Sequence, residues 1–129
     1  MGNYFQKEIE CASADQIRAW QNERLVKQVK NIYDNVPYYR TRMQNKGLEP
    51  GDIKSIDDLH KLPFITKDDL RDAYPYGLLA RPLKDCVRMQ STSGTTGRRV
   101  VAFYTQHDLD LWEDCCARAI VAAGGTKED

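Results

Sequence analysis

Four of the five prolines limit what this chain can fold into: Pro37, Pro50, Pro63 and Pro75 divide its middle into short pieces. The residue before a proline is pushed out of the α region, and proline has no N–H to give a preceding turn. A continuous helix across any of these positions is therefore disfavoured. What remains is a run of brief helices joined by proline turns, LHKLPFITKDDLRDAYPYGLL. Such a segment has little core of its own and is expected to wrap against something larger.

The one long helix must precede Pro37. Ser13 followed three residues later by Gln16 has the pattern of a reciprocal capping box. Ile17, Trp20, Leu25, Val29, Ile32, Tyr33 and Val36 then recur at helical spacing, with Arg18, Glu23, Lys27 and Lys30 on the opposite face. This predicts an amphipathic helix of about six turns. Its charges are of both signs, which favours packing on a core over lying on a membrane. A second helix is expected over 38–46, stopped by Gly47 with Leu48 as the capping hydrophobe. A Pro50-Gly51 turn follows. Ser55 with Asp58, and Thr66 with Asp69, are capping boxes for two short helices ended by Pro63 and Pro75.

After residue 85 the pattern changes. CVRMQ (86–90) and VVAFY (100–104) are rich in side chains that favour strands. Thr105 and Asp108 cap a last helix whose expected apolar stripe is Leu109, Trp112, Cys116, Ile120 and Ala123, with Gly124-Gly125 as its stop. The expected fold class is α/β, or α+β for a chain of this length. N-terminal helices fill 1–85, and a strand–loop–strand–helix unit fills 86–129. Two strands and a helix do not complete a sheet. The second unit therefore reads as the start of a larger α/β core whose remainder is expected to lie outside the chain.

A length of 129 residues suits one modest domain, and 41% apolar residues argue against disorder. Nineteen basic and nineteen acidic residues balance, so charge offers no attraction for nucleic acid or an anionic membrane. No stretch nears the roughly 20 apolar residues of a membrane span, and no signal peptide is evident, so a cytoplasmic location is expected. Cys11, Cys86, Cys115 and Cys116 form no C-x-x-C, and His60 and His107 show no paired spacing with them. Reduced thiols and no metal site are the expectation. Trp20 and Trp112 are expected in a core, as are Tyr38-Tyr39, with Cys116 turned inward and Cys115 at the edge of its helix. No catalytic residue is assigned.

Between the two strands lies STSGTTGRR, residues 91–99. A phosphate group asks for several N–H donors converging on one point. Glycine allows both the dihedrals and the close approach that this needs. Ser and Thr hydroxyls add donors at short reach, and an adjacent cation neutralises charge. Gly94 and Gly97, flanked by Ser93, Thr95 and Thr96 and followed by Arg98 and Arg99, supply each part. The loop lacks the G-x-x-x-x-G-K-[ST] pattern of a Walker loop. No helix follows it directly, so a helix dipole is not the expected gripping device. The competing reading is a solvated surface loop, which Ser/Thr/Gly clusters between strands usually are.

Thr92, Ser93, Gly94, Thr95, Thr96 and Gly97 match the [ST]-[ST]-G-[ST]-T-G phosphate loop of the adenylate-forming enzymes, a superfamily of acyl-CoA synthetases, adenylation domains and luciferases. The flanks resemble its phenylacetate–CoA ligase branch. LHKLPFITKDDLR upstream, YTQHDLDLW (104–112) downstream and the early NERL…VPYYR (22–40) all carry the likeness, which covers nearly the whole chain. Arg98-Arg99-Val100 stand where the superfamily has x-P-K, so its proline and lysine are missing and Arg98 is the candidate replacement charge. The resemblance implies an AMP-forming ligase that uses ATP, Mg²⁺ and CoA to activate an aryl carboxylic acid, phenylacetate foremost. Thr92, Ser93, Gly94, Thr95, Thr96, Gly97 and Arg98 would bind the nucleotide. It also implies a homodimer as the candidate full-length form. This stretch corresponds to the family's N-terminal portion and is expected to be inactive alone. Two alternatives stand beside it: a non-catalytic module with weak phosphate binding, and a related ligase for a different acid.

Overall fold

In the computed structural model the structure describes residues 3–94, 99–126 and 128. Five α-helices, three short 3-10 helices and two strands are found among them. Helix α1 (Lys7–Glu10) was not foreseen: at four residues, without a side-chain cap, it leaves no sequence signal. Helix α2 (Ala14–Asn35) is the expected long helix. The Ser13 hydroxyl accepts from the Gln16 N–H at 3.2 Å, which is one half of the anticipated box. Pro37 both ends α2 and opens α3 (Pro37–Asn45) as its first residue, where its missing N–H has no partner to lose.

The core lies where α2 crosses α3. Val29, Val36, Tyr39, Met43 and Ile53 are buried, with Leu25, Ile32, Tyr33, Leu48, Leu62 and Leu78 packed around them. Tyr39 is thus a core residue, as expected, and its hydroxyl donates to the Pro63 carbonyl at 2.9 Å. Ile17 is exposed and Trp20 only half-buried. The first turns of α2 overrun the core and instead meet the 3-10 helix Ile56–Lys61 by polar contacts. Arg18 pairs with Asp57 at 2.6 Å, and the Asn22 side chain accepts from the Ile56 N–H at 2.9 Å. The outer face of α2 carries exposed i,i+4 pairs, Lys27–Glu23 and Lys30–Asp34.

Gly47 ends α3 with φ 67°, and the N–H groups of Gly47 and Leu48 return to the carbonyls of Gln44 and Met43 at 2.8 and 3.0 Å. This paired closure requires a left-handed residue. A Cβ added at Gly47 would meet nothing within 4 Å, so crowding is no obstacle to substitution. Gly47→Ala is therefore expected to cost only the backbone penalty, about 1–2 kcal/mol. Urea unfolding followed by circular dichroism checks this, with Gly47→Asn falling between the two.

The short pieces between the prolines form as read, with one change of type. A 3-10 turn covers Pro50–Asp52. Ser55 and Asp58 make their reciprocal box, but the helix it starts, Ile56–Lys61, is 3-10 rather than α. Thr66 and Asp69 cap α4 (Lys67–Asp72). Asp69 does more than cap. Buried at 8% exposure, it accepts from the Tyr38 hydroxyl at 2.7 Å and from the Thr66 N–H and hydroxyl at 2.7 and 2.8 Å, and pairs with Arg42. Arg42 also donates to the Phe64 carbonyl at 2.9 Å. One carboxylate thus ties α4 to α3. The Thr66 amide first, then the Tyr38 hydroxyl, hold its pKa down at about 2.

A further 3-10 turn, Leu83–Asp85, leads into β1 (Cys86–Ser91), which pairs antiparallel with β2 (Val101–Thr105). Helix α5 (Gln106–Ala122) follows at once, with Thr105 and Asp108 in the expected reciprocal cap. The fold is therefore α/β in its mixed form: helices followed by a two-stranded antiparallel ribbon and a closing helix. In register, Met89 faces Phe103 and Arg88 faces Tyr104. Residues paired across strands share a face, so the ribbon has a Met89/Phe103 side and an Arg88/Tyr104 side. Tyr76 sets its ring against Phe103 on the first, and Trp112 of α5 sets its ring against Tyr104 on the second.

The stripe expected to bury α5 is open. Trp112 is 42% exposed, and Cys116, Ile120 and Ala123 are exposed too, so Trp112 and Cys116 are not core residues here. A two-stranded ribbon is too narrow to cover a 17-residue helix. Cys115 is exposed as well, its sulfur accepting from Arg118 at 3.2 Å. No helix among the described residues is long and apolar enough to cross a membrane.

Candidate phosphate-binding loop

The ribbon presents the loop at the end away from α5. Below it, Ser91 pairs with Val101 and Gln90 with Ala102. One step beyond, the chain is clasped twice: the Thr92 N–H donates to the Val100 carbonyl at 3.0 Å, and the Val100 N–H donates to the Thr92 hydroxyl at 3.1 Å. Thr92 therefore closes the loop, its hydroxyl oxygen taken up by the opposite strand. Ser93 is exposed, and Gly94 follows with φ 73°. A left-handed φ is where a side chain would be strained, which suits the glycine at this position.

Arg99 is exposed on the returning limb. Residues 91–99 contain no acidic side chain, so nothing within the loop opposes an anion. Of the seven candidate site residues, Thr92, Ser93 and Gly94 are placed in this way; Thr95, Thr96, Gly97 and Arg98 lie outside the described residues.

β2 runs away from the loop into Thr105, the cap of α5. At about 3.4 Å per residue, the five-residue strand sets the helix N-terminus well beyond reach of a loop-bound phosphate. The helix thus opens a strand's length from the Thr92–Val100 clasp and not directly after the loop. The α5 N-terminus is satisfied by Asp108, whose carboxyl the Thr105 hydroxyl and amide hold below its ordinary range. Arg88 stands over the Trp112 ring at 5.9 Å, fixing a positive charge on the face of the ribbon that meets α5.

No group of three or more His, Cys, Asp or Glu side chains among the described residues could hold a metal ion. His107 sits exposed in the first turn of α5 and His60 is exposed on its 3-10 helix, its ring nitrogen 2.7 Å from the Asp57 carbonyl. Sequence reasoning missed the Tyr38–Arg42–Asp69 cluster. Its visible signal was the Thr66/Asp69 cap, since Tyr38 and Arg42 lie 31 and 27 residues from Asp69.

The arrangement of the described helices and ribbon is similar to that in a solved CoA ligase. A 2-hydroxyisobutyryl-CoA ligase, solved with 2-HIB-AMP and CoA in its thioesterification state, superposes on 92% of this chain with a TM-score of 0.81 at 25% sequence identity, over 26% of the ligase. In sequence the chain is a homologue of the phenylacetate–coenzyme A ligases. It is 49% identical to that of Pseudomonas putida and 45% identical to that of Escherichia coli (strain K12), each over 121 residues, 94% of this chain. The enzyme of Thermus thermophilus is 40% identical over 120 residues. The chain spans about 28% of the length of these relatives. No family model matches it.

Proposed function

We propose that this chain carries the ATP-phosphate loop of an AMP-forming CoA ligase acting on an aryl carboxylic acid, phenylacetate by its relatives. The observation that carries the reading is the clasped, glycine-turned loop on a two-strand base, in a chain homologous to phenylacetate–CoA ligases. On this reading residues 1–85 are a helical N-terminal segment and 86–129 open the ATP-binding α/β core. Over about 28% of such an enzyme's length, these 129 residues are not expected to turn over by themselves.

The reaction asks little of acid–base chemistry. A carboxylate oxygen attacks the α-phosphorus of ATP, and the bond to the bridging oxygen breaks, releasing pyrophosphate. The CoA thiolate then attacks the acyl carbon, and AMP leaves with the carboxylate oxygen. The carboxylate is already an adequate nucleophile, so catalysis consists of holding the phosphates still and neutralising their charge. Thr95 and Thr96 are proposed as the principal hydroxyl donors. Ser93 and the Gly94 and Gly97 amides stand behind them, Arg98 supplies charge, and Thr92 holds the base. Mg²⁺ is proposed to arrive with the nucleotide, bound mainly by its phosphates, as that ion usually is in ATP sites. A cytoplasmic location and a homodimeric full-length form belong to the same proposal. The likeness to a 2-hydroxyisobutyryl-CoA ligase supports a second reading, the same chemistry on a different acid.

Titration calorimetry with ATP–Mg²⁺ tests the loop. Each charge-assisted hydrogen bond is worth about 1.5–3 kcal/mol. Thr95→Ala/Thr96→Ala is therefore expected to weaken binding at least about tenfold while leaving the circular dichroism unchanged. Equal heats for the two proteins would return the loop to an ordinary surface turn.

A further inference from the structure

One contact between the helical segment and the ribbon lies close to the loop. The Tyr76 and Phe103 rings stand 5.5 Å apart, tilted by 36°. Phe103 pairs with Met89, and two further rungs, Ala102–Gln90 and Val101–Ser91, lead from it to the Thr92–Val100 clasp. Tyr76 therefore presses on the ribbon three rungs below the base of the loop.

Its own placement is narrow. The Gly77 N–H donates to the Ala73 carbonyl at 2.7 Å and the Leu79 N–H to the Tyr76 carbonyl at 3.0 Å, folding the turn back on the end of α4. A Cβ at Gly77 would stand 2.7 Å from that Ala73 oxygen, so the turn has no room for a larger residue. α4 in turn is tied to α3 through Asp69, Tyr38 and Arg42. A continuous path thus runs from the core helix α3 through α4 and its turn to the ring on β2.

We infer that Tyr76 is a positioning residue: it carries the placement of the Asp69-clamped helix onto β2 and so sets the ribbon that presents the loop to a triphosphate. This rests on reading the loop as an ATP-phosphate site. The ring does the work. Tyr76 is half exposed and also borders a groove of about 700 Å³ lined by Pro37, Tyr38, Thr41, Arg42 and Leu79. That leaves the ring resting on Phe103 rather than sealed in the core.

Two measurements on the wild type, Tyr76→Ala and Tyr76→Phe test it: amide hydrogen exchange, and calorimetric titration with ATP–Mg²⁺. An aromatic pair of this kind implies an exchange rate about two- to tenfold faster at the β1–β2 ladder in Tyr76→Ala. Protection in α2 and α3 should be unchanged, and Tyr76→Phe should match the wild type. ATP affinity should fall by a similar factor in Tyr76→Ala and return in Tyr76→Phe. Unaltered ladder exchange in Tyr76→Ala overturns the inference. So does a loss of protection that spreads through α2 and α3, which would make Tyr76 a folding residue. A wild type that gives no heat with ATP removes the phosphate-site reading, and ladder exchange then still decides whether Tyr76 places the ribbon.

Discussion

Met43→Ala is expected to lower the free energy of unfolding by about 2–5 kcal/mol, the range found when a buried methionine or leucine is cut to alanine. Met43 is fully buried, with no exposure at all, at the centre of a cluster holding Val29, Val36, Tyr39 and Ile53. That cluster is where α2 and α3 are held together. Domains of this size are stable by only about 5–15 kcal/mol, so the upper end of the range would remove roughly a third or more of the total. Urea titration followed by far-ultraviolet circular dichroism measures the loss. Met43→Leu, nearly equal in volume, should cost less than about 1.5 kcal/mol. A Met43→Ala midpoint matching the wild type would mean that the crossing of α2 and α3 does not hold the fold together.

Asp69 gives the second large effect, and it depends on pH. Its folded pKa is about 2, below the roughly 3.9 of a free aspartate. A depressed carboxylate contributes its full stability above the unfolded value and loses it as pH falls through the folded one. The wild type should therefore keep a constant urea midpoint near neutrality and lose stability from about pH 4 down towards pH 2. Asp69→Asn keeps an acceptor for the Thr66 amide but removes the charge opposite Arg42. It should unfold at markedly lower urea at pH 7 and show a shallower acid decline. Some decline must remain, because Asp58 is held near the same pKa by Lys61 and the Lys54 amide. An acid profile for Asp69→Asn parallel to that of the wild type would show that the clamp between α3 and α4 adds no pH-dependent stability.

These two residues mark different depths at which sequence is readable. Met43 belongs to a helix whose limits were set locally, by Pro37 at its start and Gly47 after its end. The Ser55/Asp58, Thr66/Asp69 and Thr105/Asp108 boxes all formed, because a cap is a bargain between residues three apart. Where local signals were weak, the reading slipped. Helix α1 had no cap to announce it, and Ile56–Lys61 wound as 3-10 although its cap was legible. The larger misreading was α5. Its periodicity correctly marked a helix, but Trp112, Cys116 and Ile120 stand exposed, because a periodic stripe names a face and not what covers it.

The candidate phosphate loop divides in the same way. Its glycines and hydroxyls, and the strands on either side, were legible because strand character and turn chemistry belong to a few adjacent residues. The sequence alone therefore determined most of the order of elements from Ser13 onward, the reciprocal caps and the glycine stop of α3, and the composition of an anion-suited loop. Only the tertiary structure decided that Thr92 serves as the clasp, that Asp69 joins α3 to α4, and that Tyr76 meets Phe103. The last two contacts join side chains tens of residues apart. The Thr92 clasp, though closer in sequence, depends on the register in which β1 and β2 pair, and no local propensity specifies either.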